Sequence, residues 1–392
     1  MNKAILNIEI QDFINSNLKS DITKLLLKGT AFEAVDTKAV IEQIEAKRKC
    51  ETKLSTWYHH DNIYYPNKLH IEQTSSEITA KYKSGLIEGQ SLIDLTGGFG
   101  VDSFYFAKRF KRVVHCEMDQ ALHEIVSHNY KELGCDHIET LNTDGIAYLH
   151  HSDVQYDWIY IDPSRRHETK GKVFFLKDCL PNVPLYLNLL FKRSKQIMIK
   201  TSPLLDISAG IRALNFVKTI HVIAVHNEVK ELLWILERDY KAGIEIKTVN
   251  IKGSTIESFN FLLEEETAIE SQFSAPLTYL YEPNSAIMKS GGFNALSNTF
   301  ALPKLHRHSH LYVSHERIDF PGRTFKIAEV LPYNKKLFKK LGITRANITT
   351  RNFPETVQHI RKKLNIRDGG DTYLFFTTDY QENLIVIVSE RV

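Results

Sequence analysis

Four acidic residues follow short apolar runs in the middle of the chain, and their order suggests a ligand-binding site. They are Asp94, Glu117, Asp144 and Asp162, and each stands where a predicted strand ends. Because parallel strands end at one edge of a sheet, we expect the four carboxylates to share that edge. Each acid alone also has a structural interpretation, as a helix cap or a turn former. The ordered set at successive strand ends favours a binding site.

The first acid opens a glycine-rich turn, DLTGGFGVD, with glycines at 97, 98 and 100. Glycine has no Cβ, so such a turn lets backbone approach a ligand closely. A Walker A loop needs a lysine after its glycines, and none follows here, which disfavours a nucleoside triphosphate. The dinucleotide fingerprint GxGxxG is matched only in part. An acid before the turn suits S-adenosylmethionine, whose sulfonium and ammonium are cations and which has no phosphate.

The other acids are assigned to the remaining parts of that cofactor. Glu117 lies 23 residues past Asp94, near the spacing at which an acid accepts from both ribose hydroxyls. Asp144 is expected to accept from the adenine amino group. A helix start near Ser75 is expected to contact the methionine carboxylate. The full predicted cofactor set is Gln73, Ser75, Ser76, Asp94, Thr96, Gly97, Gly98, Gly100, Glu117, Met118, Asp144, Gly145 and Asp162.

The fourth strand ends in the motif DPSRR, which supplies groups for a transfer reaction. An exocyclic amine needs acceptors for its N–H groups, and Asp162 and the carbonyl of Pro163 suit that task. Arg165 and Arg166 stay protonated, so they suit contact with a phosphate, and an ion pair with a nearby acid is the alternative. The fifth strand ends in KTSP, which points Lys200 toward the same cleft. The predicted catalytic set is Asp162, Pro163, Ser164, Arg165, Arg166 and Lys200.

An alternation of strands and helices is needed to position these residues. Strands are predicted at 91–95, 112–117, 137–141, 156–162 and 195–200, with helices near 102–110, 119–133, 144–150, 182–193 and 207–214. This order predicts a parallel, doubly wound α/β sheet. Apolar spacing predicts helices before residue 70, and a further helix that ends at Gly89. The runs TIHVIAVHN, KELLWILERD, IEIKTVNI and IESFNFLLEE predict an antiparallel extension of the sheet.

The region from about 275 has a different texture and a different charge. The run GGFNALSNTFAL is predicted to be a loop, and the last two apolar runs are predicted to form a hairpin. Two helices are predicted between them. NKKLFKKLG forms a helix that ends at Gly342, and PETVQHIRKKL forms a helix with Pro354 in its first turn. Residues 289–392 hold 17 Lys and Arg against 9 Asp and Glu, a net +8, whereas the preceding residues sum to −5. A basic end favours a polyanion partner, and a solvated helix face is the alternative.

Composition and cysteine use exclude several classes of protein. The 392 residues are 43% hydrophobic and 25% charged, as in ordinary soluble globular proteins. No apolar run approaches the roughly 18 residues of a membrane span, and no signal-peptide core is present, so a cytoplasmic location is expected. The four cysteines form no CxxC pair and are expected to be free thiols. His306, His308 and His310 would share one face of a strand, but no cysteine or acid adjoins them, so no metal is expected.

The motifs DLTGGFGVD, EMD, NTDG and DPSRR together resemble those of the class I S-adenosylmethionine-dependent methyltransferases. More narrowly, the chain is similar to bacterial proteins assigned as RNA methyltransferases that carry a THUMP-like C-terminal domain. That match also includes LSTWYHHDNIYYP, IEQTSSEITAKYK, KTSPLLD, NEVKELLW and ANITTRNFP…GGDTYLF, and it covers most of the chain. Thr96 stands where many class I enzymes have the first glycine. Ser164 and Arg165 replace the proline and aromatic residue of amino-methylating enzymes, which argues against base stacking by this motif.

The resemblance implies a Rossmann-like methyltransferase sheet, an N-terminal helical region, and a small α+β C-terminal region that is ferredoxin-like and then THUMP-like. The implied domains are 1–72, 73–274, 275–330 and 331–392. The implied function is methyl transfer from S-adenosylmethionine to a base in rRNA or tRNA, at an exocyclic amine. A methyltransferase acting on a protein or a small molecule, and an RNA-binding protein without turnover, remain as alternatives.

Overall fold

The computed structural model describes residues 1–165 and 175–392, apart from the side chain of Arg165. The chain divides into two compact units. The first comprises residues 1–217 and 233–241, and the second comprises residues 218–232 and 242–392. No helix among the described residues is long and apolar enough to cross a membrane.

The N-terminal part of the first unit is helical, as its apolar spacing predicts. Its helices are α1 (Ile8–Ser16), α2 (Ile22–Lys28), α3 (Thr37–Lys53), α4 (Ser55–His59), α5 (Lys68–Gln73) and α6 (Glu77–Ser84). Apolar residues of α1 and α3 pack into a small core that includes Ile10, Ile14, Val40 and Ile44. The prediction that α6 ends at Gly89 is wrong, because Gly85 caps the helix and Gly89 begins the next strand.

A parallel sheet follows in the same unit. Its strands are β1 (Gly89–Asp94), β2 (Phe110–Cys116), β3 (Ile138–Leu141), β4 (Tyr156–Ile161) and β7 (Ser194–Thr201). Between β4 and β7, a short antiparallel pair is formed by β5 (Ser164–Arg165) and β6 (Cys179–Leu180). The connecting helices are α7 (Val101–Phe106), α8 (Gln120–Glu132), α9 (Gly145–His151), α10 (Val183–Arg193) and α11 (Ile207–Ala213). Neighbouring strands run parallel in the order β7-β4-β1-β2-β3. The predicted parallel α/β sheet is confirmed.

The N-terminal helices pack directly on the helices of this sheet. The buried Trp57 of α4 lies edge-on to Phe104 of α7, with ring centroids 4.8 Å apart. The backbone of Tyr64 exchanges two hydrogen bonds of 2.9 Å with the side-chain amide of Asn129 on α8. The helices and the sheet therefore share one compact unit.

The second unit begins at residue 218, inside β8 (Val217–Val225), and β9 (Glu228–Glu237) is divided between the two units. β10 (Glu245–Lys252) pairs with β11 (Thr255–Leu262) in the antiparallel sense that the sequence predicts. β10 pairs with β8 in parallel, however, so the antiparallel prediction is wrong for that pair. The chain returns along β9 before it enters β10, and β8 and β10 consequently run in the same direction.

A six-stranded sheet makes up the C-terminal part of the second unit. Its strands are β12 (Tyr279–Pro283), β13 (Tyr312–Ser314), β14 (Gly322–Pro332), β15 (Asn347–Arg351), β16 (Thr372–Thr378) and β17 (Leu384–Arg391). The helices are α12 (Leu263–Ala268), α13 (Ser285–Ser290), α14 (Phe293–Thr299), α15 (Lys335–Lys340) and α16 (Val357–Leu364). The sheet order is β13-β12-β14-β17-β16-β15, and the predicted terminal hairpin is β16–β17. The predicted boundary between residues 330 and 331 falls inside β14.

Two helices of this region differ from their predictions. The predicted loop at 291–302 contains α14, whose N-terminus is capped from outside: Glu266 of α12 accepts from the backbone N–H groups of Asn294 and Ala295 at 2.8 Å each. Because the cap comes from a distant helix, the local sequence does not indicate it. α16 begins at Val357 after the cap residue Thr356, so Pro354 precedes the helix.

The histidines and cysteines take ordinary structural positions. Residues 306–310 form a turn and not a strand, so the condition under which the three histidines would share one face is not met. His306 is bonded to Glu382 at 2.9 Å, and His310 stacks on Phe293. The four cysteines are free and buried. Across the described ranges, no group of three or more His, Cys, Asp or Glu residues could hold a metal ion.

Candidate functional site

The turn after β1 is built around Asp94, whose side chain is buried. Its carboxylate accepts from the backbone N–H of Thr96 at 3.0 Å and from the hydroxyl of Ser103 at 2.7 Å. Burial raises the pKa of Asp94 to about 7, and these hydrogen bonds oppose the rise. A buried acid of this kind is stabilised in its charged form by a bound cation.

The glycines of the turn are required by close contacts and by backbone conformation. A Cβ at Gly97 would lie 2.1 Å from the ring of His115, and a Cβ at Gly100 would lie 2.2 Å from the hydroxyl oxygen of Tyr130. Gly98 and Gly100 have φ angles of +57° and +80°, which L side chains rarely adopt. The turn therefore presents backbone rather than side chains at these positions.

Glu117 directly follows β2, and backbone groups hold its carboxylate against the turn. One oxygen accepts from the N–H of Gly98 at 2.9 Å, and the other accepts from the N–H of Asp119 at 2.8 Å. A carboxylate oxygen has two acceptor positions, so each oxygen can accept one more donor, such as a ribose hydroxyl. The neighbouring Met118 is 72% exposed.

Asp144 caps α9, which is the structural interpretation of this acid. One carboxylate oxygen accepts from the N–H groups of Ile146 at 2.8 Å and Ala147 at 3.0 Å. The residue is exposed and lies three residues after the end of β3. A Cβ at the adjacent Gly145 would lie 2.5 Å from the carbonyl oxygen of Leu95, so α9 begins close against the end of β1.

Asp162 joins the ends of β1, β4 and β7. Its backbone N–H donates to the hydroxyl oxygen of Thr96 at 2.7 Å, and its carboxylate forms an ion pair with Lys200. Burial raises the pKa of Asp162, and the Lys200 ammonium opposes the rise. Next along the chain, Pro163 is buried and Ser164 is exposed.

A second buried network is centred on the hydroxyl of Ser75. It donates to Asp102 at 2.8 Å and accepts from the ammonium groups of Lys83 at 2.9 Å and Lys200 at 3.3 Å. Tyr160 also donates to Asp102, at 2.7 Å. Burial pulls the pKa of Asp102 up, but the two lysines and the hydrogen bonds outweigh it and hold that pKa below its ordinary value.

The remaining predicted residues lie at the periphery of this arrangement or beyond the described residues. Gln73 is the exposed last residue of α5, and Ser76 caps α6 by accepting from the N–H of Thr79 at 3.2 Å. Arg166, and the side chain of Arg165, lie outside the described residues. The proposed phosphate contact of these two arginines stays a prediction.

Sequence reasoning missed several side chains that this site contains. Asp102, the last residue of the glycine stretch DLTGGFGVD, and Lys83 of α6 belong to neither of the two predicted residue sets. The turn also contacts three buried side chains, those of Ser103, His115 and Tyr130. The hydroxyl oxygen of Ser103 lies 3.2 Å from His115 Nδ1, and the Tyr130 hydroxyl donates to the carbonyl of Gly100 at 2.9 Å. Burial lowers the pKa of His115 to about 3, so the ring is neutral.

Comparison with known proteins finds matches both for the C-terminal region and for the whole chain. Residues 279–321 match a ferredoxin-like domain family, and residues 322–391 match a THUMP domain-like family. The crystal structure of a protein described as a "putative methyltransferase" from Porphyromonas gingivalis W83 is 30% identical, with a TM-score of 0.89, and the match covers 100% of this chain and 98% of that chain.

Two curated relatives match a shorter stretch. The ribosomal RNA small subunit methyltransferase J of Francisella philomiragia subsp. philomiragia is 29% identical over 124 residues, which cover 26% of this chain and 51% of the relative. The enzyme of the same name from Francisella tularensis subsp. novicida is 28% identical over 138 residues, or 29% of this chain and 57% of the relative. The chain thus spans about half the length of these curated relatives.

The full-length match agrees with the glycine turn, the acids at the ends of the parallel strands and the C-terminal domain matches. The chain belongs to the class I S-adenosylmethionine-dependent methyltransferases that carry a THUMP-like C-terminal domain.

Proposed function

We propose that this protein transfers the methyl group of S-adenosylmethionine to an exocyclic amine of a base in RNA, with ribosomal RNA as the first candidate. One observation supports the proposal above all: hydrogen bonds through Thr96 and Gly98 join Asp94, Glu117 and Asp162 at one edge of the parallel sheet. The names of the curated relatives favour ribosomal RNA over transfer RNA.

The residues present suit the cofactor on physical grounds. Glu117 is held by two backbone N–H groups with acceptor capacity left for the ribose hydroxyls. Asp94 is a buried acid whose charged form a cation would stabilise. Asp144 offers an exposed acceptor for the adenine amino group. When bound, the cofactor supplies a methyl group on a sulfonium that is already a good leaving group, so positioning and exclusion of water are the main tasks left to the protein.

Asp162 and the carbonyl of Pro163 are the groups that would orient the acceptor amine. Each would accept one N–H, which aims the nitrogen lone pair at the methyl carbon. Lys200 pairs with Asp162 and favours the ionised carboxylate, which accepts hydrogen bonds and does not donate them. The methylated amine must release one proton, and we assign its acceptance to the Asp162 carboxylate.

The basic side chains of α15 are the best candidates for RNA contact. Lys335, Lys336, Lys339 and Lys340 are exposed, and none of them has an ion-pair partner among the described residues. Two basic residues of α16 have partners within the protein, since Arg361 pairs with Asp368 and Lys363 pairs with Glu355 at 2.6 Å. The set of basic side chains available for RNA contact is therefore smaller than the net charge of the region alone indicates.

A radiolabel experiment separates this proposal from its two alternatives. The protein is incubated with methyl-labelled S-adenosylmethionine and a lysate of cells that lack it, and label is counted in the RNA, protein and small-molecule fractions. We expect label in RNA. Label in protein or small molecules would support the second candidate, and cofactor binding without any transfer would support a non-catalytic RNA-binding protein.

A further inference from the structure

Three lysines surround the segment that leads from α5 into α6, and one of them comes from the N-terminal helical region. Lys83 and Lys200 both donate to the hydroxyl oxygen of Ser75. Lys53 is the last residue of α3, and its ammonium donates at 2.8 Å to each of the carbonyl oxygens of Ile71 and Glu72. Because Glu72 precedes Ser75 by only three residues, the three ammonium groups approach one short stretch of chain.

Within residues 1–165 and 175–392, two carboxylates pair directly with lysines of this three-lysine cluster, so its charges do not balance there. Asp102 pairs with Lys83 at 3.1 Å, and Asp162 pairs with Lys200. Lys53 bonds instead to two uncharged carbonyl oxygens, and the nearby Glu72 carboxylate is paired with Lys49.

The surroundings of Lys53 disfavour the charged form of its side chain. Burial and the neighbouring Lys200 ammonium lower the pKa of Lys53 to about 8. A partly buried ammonium beside a second ammonium is unfavourable unless an anion accompanies them. The cluster therefore favours the binding of one negatively charged group.

We propose that Lys53 binds the α-carboxylate of the cofactor's amino acid moiety, so that the N-terminal helical region contributes directly to the cofactor site. The inference rests on the proposed function. That moiety carries cationic groups, which suit the buried Asp94, and one carboxylate, which needs a cation. Lys83 is fully buried and Lys200 is 8% exposed, so a small carboxylate suits the cluster better than the phosphate backbone of RNA.

The test compares two ligands, one with the amino acid moiety and one without it. S-adenosylhomocysteine keeps this moiety, whereas 5′-methylthioadenosine has the same adenosine thioether without the α-carboxylate and the α-ammonium. Both are titrated by calorimetry into the full-length protein, into Lys53→Met, and into Lys49→Met. Lys49 is the matched control because it lies one turn earlier on α3 and pairs with the side chain of Glu72.

We expect Lys53→Met to lower the affinity for S-adenosylhomocysteine by about ten- to a hundredfold, which is the loss typical of one hydrogen bond to a charged group. Methylthioadenosine should bind all three proteins within about twofold, and Lys49→Met should match the wild type for both ligands. Lys53→Arg keeps the positive charge and should recover most of the affinity.

Three results would overturn the proposal. Equal weakening of both ligands would show a structural role for Lys53, and no weakening of either would show that Lys53 does not meet the carboxylate. Unchanged S-adenosylhomocysteine affinity with weaker RNA binding would assign the cluster to a phosphate. Failure of the wild-type protein to bind S-adenosylhomocysteine would instead contradict the proposed function itself.

Discussion

At the scale of single residues, the buried acid Asp94 gives the site a dependence on pH. Asp94 holds a proton to about pH 7 in the folded protein, whereas an exposed aspartate loses it near pH 4. Between these values the folded state binds more protons than the unfolded state. Asp94 therefore contributes stability at low pH that is lost as pH rises through about 7.

The same raised pKa predicts how cofactor affinity depends on pH. A bound cation favours the ionised carboxylate, so S-adenosylmethionine should bind about tenfold more tightly at pH 8 than at pH 6. Asp94→Asn cannot ionise at this position and should show a flat profile. Calorimetry at the two pH values measures the difference, and an equally steep profile in the variant would assign the proton to another group.

The glycine turn gives a second residue-scale prediction. Gly97→Ala would place a methyl group 2.1 Å from the ring of His115. This ring is buried, so it cannot move away without disturbing the residues packed around it. We expect a loss of about 2 kcal/mol or more in the free energy of unfolding, together with weaker cofactor binding. Gly85→Ala is the control, because its Cβ would make only ordinary contacts with backbone at 3.4 Å. Equal denaturation midpoints for the two variants would contradict this account.

At the scale of elements, apolar periodicity predicted the parallel strands and their helices to within a few residues. Two features were missed because they depend on tertiary contacts, which the local sequence does not show. α14 was predicted as a loop because its cap, Glu266, lies 28 residues earlier in the chain. The Ser75 network was missed because a lysine such as Lys83 is polar in sequence, and only packing shows that it is buried. The acids at strand ends were predictable because parallel topology alone brings strand ends together.

The external cap of α14 can be tested by itself. Glu266→Ala removes acceptors for two backbone N–H groups and should lower the free energy of unfolding by about 1–2 kcal/mol. Glu264→Ala, on the same helix, is the control. Urea denaturation followed by circular dichroism measures both variants, and equal midpoints would show that α14 does not depend on this cap.

At the scale of the whole molecule, the net charge of +8 over residues 289–392 gives the salt dependence of RNA binding. If the four lysines of α15 contact phosphates, log affinity should fall against log salt with a slope of about −3 to −4. Replacing Lys336 by Met should reduce the slope by about 1. Replacing Lys363, which is paired with Glu355, should change it less. Filter binding over a salt series measures each slope, and the reverse ranking would move the RNA surface to α16.

The central claim is that Asp162 directs methyl transfer to an RNA amine, and nucleoside mass spectrometry tests it most directly. RNA is digested from cells that contain the gene, from cells that lack it, and from cells that carry only the Asp162→Ala variant. The account predicts one N-methylated nucleoside in the first sample, with loss of that nucleoside in the other two, while the purified variant still binds S-adenosylmethionine. Identical nucleoside profiles in all three samples, or a methyl group on carbon or ribose oxygen, would contradict it.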